Sequence, residues 1–175
     1  PPEKIQGYLS KPAGAGPFPA IVHLHGCGGL TALRRKQDSE QFTRWGYVTL
    51  VVDSFTTRDI KQACSEWPKF DRQLDALGAL VYLSKLPFVD RKRIAVVGYS
   101  QGGTIALEIA SAQPVKLFDL DDALKFKAAV AYYPSCSAGA DEFAGPTLIL
   151  IGEFDDWSLA AECRRMMKRQ DGKAS

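Results

Sequence analysis

The segment Ile94-Ala95-Val96-Val97-Gly98-Tyr99-Ser100-Gln101-Gly102-Gly103 sets a serine between two glycines where an apolar run gives way to helix-forming residues. Gly-x-Ser-x-Gly alone is a weak signal, expected by chance in about one chain of this length in twenty. Its setting makes it informative. A sharp strand-to-helix turn forces Ser100 into a sparsely populated backbone conformation and lifts its hydroxyl to the end of a sheet, while Gly98 and Gly102 leave room where a β-carbon would clash. The helix that follows turns its amino end toward the reacting oxygen. Such a serine attacks carbonyl carbon, and that chemistry requires donors for the oxyanion and a base held in orientation.

Candidate donors come from His23-Leu24-His25-Gly26-Cys27-Gly28-Gly29-Leu30, a Gly-rich turn at the end of a buried strand. The backbone N–H of Cys27, paired with that of Gln101, makes a two-donor oxyanion hole, and removing one such donor costs about a hundredfold or more in rate. The same segment also reads as a plain strand-to-loop turn. Cys27 lacks the strand-to-helix setting of a nucleophile and is cast as a backbone donor. His23 alternates onto a packed strand face and His25 braces the turn, so neither is read as the base. The His-x-His pair has no matching cluster of cysteines or carboxylates, and no metal site is expected. The candidate acid lies in Pro146-Thr-Leu-Ile-Leu-Ile-Gly-Glu-Phe-Asp155-Asp156-Trp157, a strand running into Gly-x-x-Asp. Asp155, third after Gly152, is preferred to Asp156; paired acids in a loop also read as solvated turn formers. Tyr99, Trp157 and Phe55 are candidate pocket aromatics, with core packing as the other reading of each.

Positioning these groups requires strands joined by crossover helices. Apolar runs at Ile5–Leu9, Ala20–His25, Tyr47–Asp53, Arg93–Val97, Ala128–Tyr133 and Thr147–Ile151 predict strands, several apolar on both faces as a parallel sheet demands. Between them, Phe70, Leu74, Leu77 and Val81 recur at helical spacing up to Pro87. Thr104–Ala112 and Ser158–Arg169 predict two more helices, the latter with Leu159 and Met166 inward, and Val115–Lys127 reads as a surface helix or a cap over a pocket. The expected fold is one α/β domain over residues 1–175, a mostly parallel sheet with helices on both faces. At 46% hydrophobic and 24% charged residues the chain has the composition of a folded globular domain, which excludes disorder. Its net charge of +2, from scattered basic residues, argues against nucleic acid and anionic membrane as partners. No apolar run approaches the roughly 18 residues of a bilayer span.

With these motifs assembled, the chain resembles the dienelactone hydrolase family of the α/β-hydrolase superfamily. Besides the elbow, the resemblance rests on His25-Gly-Cys-Gly-Gly-Leu, Gly46-Tyr-Val, Val52-Asp-Ser-Phe, Pro87-Phe-Val-Asp, Tyr132-Tyr-Pro-Ser-Cys and Gly152-Glu-Phe-Asp-Asp-Trp. It implies a nucleophile, an Asp and a His acting on small ester or lactone substrates without a cofactor. The namesake enzymes carry Cys at the elbow, where this chain has Ser100. They also hold a substrate carboxylate with an Arg near the position of Arg58, for which a surface salt bridge is the competing role. A perhydrolase or haloperoxidase on the same triad is a second expectation.

No histidine follows His25, although the family pattern puts the catalytic one beyond the last Asp, after one further strand. The chain also begins at Pro1 without an initiator Met. The expectation is a longer natural protein whose last strand and helix, with the catalytic His, lie outside this sequence. The competing expectation is a short form that binds without turnover. The four cysteines form no C-x-x-C. Cys136 and Cys163 are expected at one rim of the sheet; a bridge between them would argue for a periplasmic or secreted protein, free thiols for a cytoplasmic one.

Overall fold

The alternation of β-branched runs and helical stretches folds into one sheet of six strands, seen in a computed structural model that describes residues 3–111, 124–137 and 142–171. In chain order the strands are β1 (Gln6–Ser10), β2 (Phe18–Leu24), β3 (Val48–Asp53), β4 (Val89–Tyr99), β5 (Ala129–Tyr132) and β6 (Thr147–Leu150). The helices are α1 (Ala32–Arg44), α2 (Arg72–Ser84), α3 (Gln101–Ala110) and α4 (Ala160–Asp171). The spatial order is β1-β3-β2-β4-β5-β6, with β1 antiparallel to β3 and the other pairs parallel.

Both faces are covered over the middle of the sheet, so Val48–Asp53 is buried at every residue. On one face Val22, Leu50 and Val96 pack with Leu80 and Leu83 of α2 and Ile105 of α3. On the other, Ile21 and Val97 pack with Phe42 of α1. The chain leaves β2 toward β3 on one side and returns through α2 to β4 on the other. The order therefore reverses between β2 and β4, and the loops leaving their carboxyl ends diverge around a crevice.

Differences from expectation have local causes. Helix α1 was not foreseen, because Phe42 is its one buried apolar side chain beside Asp38 and Ser39, and no apolar period marks it. Its start is marked chemically: the Thr31 hydroxyl accepts the Arg34 N–H at 3.2 Å as an N-cap. Helix α3 starts at Gln101 rather than Thr104, taking Gly102 and Gly103 into its first turn. Leu159 precedes α4 and is exposed, whereas Met166 and Cys163 carry the inward face. The expected Val115–Lys127 helix falls largely outside the described residues; within it, 124–127 is irregular chain.

Candidate active site

Strand β4 ends at Tyr99 and α3 begins at Gln101, which leaves Ser100 alone to make the turn, at φ 52° and ψ −121°. For a side chain other than glycine this is a strained conformation. It is held on every side. The Ser100 N–H donates to Tyr132 O at 2.9 Å, and Ser100 O accepts the Thr104 N–H at 3.0 Å. Thr104 Oγ1 in turn accepts the Ser135 N–H at 2.9 Å. A β-carbon at Gly98 would overlap the carbonyl of Gly102, and one at Gly102 would overlap those of Leu24 and His25. The sequence spends two glycines to bring the start of α3 against the end of β2. The Ser100 hydroxyl is left half-buried and makes no hydrogen bond among the described residues.

The turn after β2 lies against this elbow: a β-carbon placed on Gly26 would sit 3.4 Å from Ser100 Cβ. Its direction is fixed through the Gly26 carbonyl, which accepts from His25 Nδ1 at 2.7 Å and from the Gly29 N–H at 3.2 Å. A trans peptide is planar, so anchoring the carbonyl on one side aims the Cys27 N–H to the other. Neither that N–H nor the Gln101 N–H meets an acceptor among the described residues. His25 itself is buried, and its Nε2 accepts the Ser54 N–H at 3.2 Å. Both ring nitrogens are thus committed, with the proton on Nδ1. Burial, aided by the Arg72 charge, pushes the His25 pKa down to about 4. His25 braces the turn, as expected, and burial keeps it neutral. His23 is equally buried on the α1 face, 3.1 Å from Asp38 and among Phe42 and Tyr99.

Arg72, which sequence reasoning missed, sits behind both amides. It is 3% exposed; one terminal nitrogen donates to Gln101 Oε1 at 2.7 Å and the other to His25 O at 2.8 Å. Its guanidinium lies over the Phe55 ring, 5.1 Å from the centroid, and that ring meets His25 edge-on at 4.6 Å. Phe55 is core, not pocket wall. Burial lowers the Arg72 pKa to about 10, so it stays charged at neutral pH.

Asp155 lies beyond β6, on the same sheet edge as Ser100. Its N–H donates to Gly152 O at 3.2 Å, closing the Gly-x-x-Asp turn. Its Oδ1 accepts the N–H groups of Trp157 at 3.0 Å and Ser158 at 2.7 Å, which leaves Oδ2 without a protein partner among the described residues. A profile of the dienelactone hydrolase family matches residues 5–173. The chain belongs to that family. Among curated proteins it is similar to esterase FrsA of Klebsiella pneumoniae, 30% identical over 117 residues, which is 65% of this chain and 27% of the relative. The chain therefore spans about a quarter of the length of the curated relatives it matches. Among solved structures it is similar to a thermophilic esterase of Thermogutta terrifontis, TM-score 0.75 and 19% identical over 99% of this chain and 74% of that one. It is also similar to a dienelactone hydrolase of Anabaena variabilis, TM-score 0.65 and 23% identical over 96% and 76% of the two chains. These likenesses show the α/β-hydrolase fold.

The remaining candidate residues of this family member take other places. Arg58 is bidentate to Asp75 at 2.8 and 2.9 Å, bonds Ser54 O at 2.7 Å and Glu3 at 2.6 Å, and lies over the Phe70 ring. Four of its N–H groups have partners within the chain, which favours the salt-bridge role, with the Asp75 side of the bridge buried and the Glu3 side at the surface. Tyr99 stacks on Tyr132 at 4.7 Å on the α1 face, and burial raises its pKa to about 12. Trp157 is 77% exposed and is neither core nor the wall of an enclosed pocket. The cysteines pair as Cys136 with Cys163 and, unforeseen, Cys27 with Cys64. Sequence offered no spacing signal for the second pair; only the loop closing over the turn brings Cys64 there.

Proposed function

We propose that this chain is the serine hydrolase part of an enzyme that cleaves an ester or lactone of a small carboxylic acid. In this reading Ser100 attacks the carbonyl carbon, the amides of Cys27 and Gln101 take the oxyanion, and water later releases the acyl group. The observation that carries it is a strained, unbonded serine hydroxyl next to two amides that have no acceptor. Asp155, with one oxygen committed to its own loop and one open, suits the task of orienting an imidazole. Neither His23 nor His25 suits the base, since both are buried and His25 has both nitrogens engaged. The base of this reading is a group that the described residues do not supply. That same observation favours a second reading, a site that binds an ester-like ligand without turning it over.

A fluorophosphonate probe separates the two on the full-length protein. Labelling at Ser100, with loss of labelling and of p-nitrophenyl acetate turnover in Ser100→Ala, supports the hydrolase; an unlabelled Ser100 in folded protein rejects it. Two disulfides further support a working place in an oxidising compartment, the periplasm or the cell exterior.

A further inference from the structure

The segment between the short 3₁₀ turn Thr56–Arg58 and α2 runs across the turn that follows β2. It touches the site at a few points. Cys64 is bridged to Cys27, and the Ala63 N–H donates to Cys27 O at 2.8 Å. Gln101 Nε2 donates to Ala63 O at 3.5 Å, and Gln101 Oε1 accepts from Arg72, whose other nitrogen holds His25 O. These contacts close a ring around the two unaccepted amides. Cys27 is clamped through its carbonyl and its side chain, Gln101 through both ends of its amide, and Arg72 ties the Gln101 side to the residue before Gly26. None of these atoms is itself an oxyanion donor; each restrains a residue that is.

The two bridges differ in access. Cys136 and Cys163 are 4% and 3% exposed in a cluster with Leu107, Ala131 and Met166, whereas Cys64 lies at the surface and Cys27 is half-buried. A thiol in solution meets the Cys64 sulfur first.

We propose that the Cys27–Cys64 bridge and Arg72 are positioning groups for the oxyanion hole, and that reduction of this one bridge turns hydrolysis down while the fold persists. The inference rests on the hydrolase reading above. In the reducing step a dithiol reductant supplies two electrons and two protons. Its thiolate attacks Cys64 Sγ, the Cys27 sulfur leaves as thiolate and takes a proton, and the second thiol closes the reductant's own disulfide and frees the Cys64 thiol. The Cys27 peptide then keeps its anchor at the Gly26 carbonyl but loses its tether to the crossing segment. An oxyanion donor that drifts is lost mainly from the transition state, so kcat falls while KM holds.

The test uses the full-length protein, dithiothreitol at neutral pH, alkylation with iodoacetamide and peptide mapping, with p-nitrophenyl acetate turnover and fluorophosphonate labelling of Ser100 as readouts. The expected result is alkylation of Cys27 and Cys64 with Cys136 and Cys163 protected, an unchanged far-ultraviolet spectrum, and kcat down about tenfold or more with KM within about twofold. The double variant Cys27→Ser/Cys64→Ser reproduces the lowered kcat and no longer responds to dithiothreitol; the reduced wild type carries the test should that variant not fold. Arg72→Met lowers kcat in the same sense, and Arg72→Lys, which keeps the charge but not the two-pronged geometry, restores it only in part. Wild-type kcat in protein alkylated at Cys27 and Cys64 overturns the inference alone. A wild type that neither turns over ester nor labels at Ser100 overturns the hydrolase reading, and this inference with it.

Discussion

The two ends of the candidate site are built unequally. At the β2–β4 crevice the N–H and the carbonyl of Ser100 are both bonded, helices cover both faces of the sheet, and a buried arginine crosses behind the turn. At β6 the opposite holds. Leu148 and Leu150, which lie on the face that α1 covers farther along, are 51% and 41% exposed, and beyond Leu150 the loop presents Phe154 and Trp157 at 93% and 77% exposure. The difference teaches what fixes a site. Ser100 can hold a strained backbone because everything around it is overdetermined, while Asp155 is held by its own local turn and little else.

The same substitution at the two ends tests this most strongly. Gly102→Ala drives a methyl into the carbonyls of Leu24 and His25, whereas Gly152→Ala meets nothing closer than 3.9 Å. The first is expected to destabilise by roughly 4 kcal/mol and, where folded protein survives, to lower kcat by about a hundredfold through displacement of the Gln101 amide. The second is expected to stay within about 0.5 kcal/mol. Urea melts of both variants check the pair; equal costs would mean that the two ends are not differently packed.

The nucleophile end also carries its own pH signature through His25. Its pKa is about 4 in the folded chain against 6.5 ordinarily, because burial and Arg72 disfavour the imidazolium. Between those values the unfolded chain binds the extra proton. Stability from this group is therefore complete above about pH 6.5 and declines as pH falls toward 4, by about 3 kcal/mol in all. Asp53 acts in a lower window. Burial raises its pKa, but the N–H groups of Thr56 and Phe55 and the Thr56 hydroxyl outweigh that and hold it below 3.8, so its contribution is lost only beneath that pH. Melts at pH 7, 5.5 and 4.5 are expected to slope downward in the wild type and to flatten in His25→Gln. An unchanged slope in the variant would assign the acid sensitivity elsewhere.

What the sequence disclosed follows the same division. The Ser100 elbow, the turn at Cys27 and the places of the strands along the chain were legible because steric demands select residue types that can be read directly: glycine where backbones nearly touch, β-branched residues where two faces are buried. Arg72 was not legible, since an arginine in the first turn of an amphipathic helix looks like any surface residue until the fold brings Gln101 and His25 O to it. Helix α1 was hidden because a helix covering one edge of a face needs a single apolar anchor, Phe42, and leaves no period. The Cys27–Cys64 pairing depends on the path of an irregular segment, which residue spacing does not encode.

The smallest expected effect tests the open end directly. Leu148 pairs with Val130 across β5 and β6, yet half of its surface meets water, beyond the part of that face that α1 covers. A partly exposed leucine on an edge strand gains little from burial, and threonine is as well suited to a strand, so Leu148→Thr is expected to change stability by less than about 0.5 kcal/mol in the 175-residue chain. Val96→Thr, which puts a hydroxyl into the covered middle of the sheet, is expected to cost about 2 kcal/mol. Measured side by side, the pair reports how open the face over β6 is. A cost at Leu148 approaching that at Val96 would mean that this face is covered, and that Asp155 sits at a packed end of the sheet rather than a loose one.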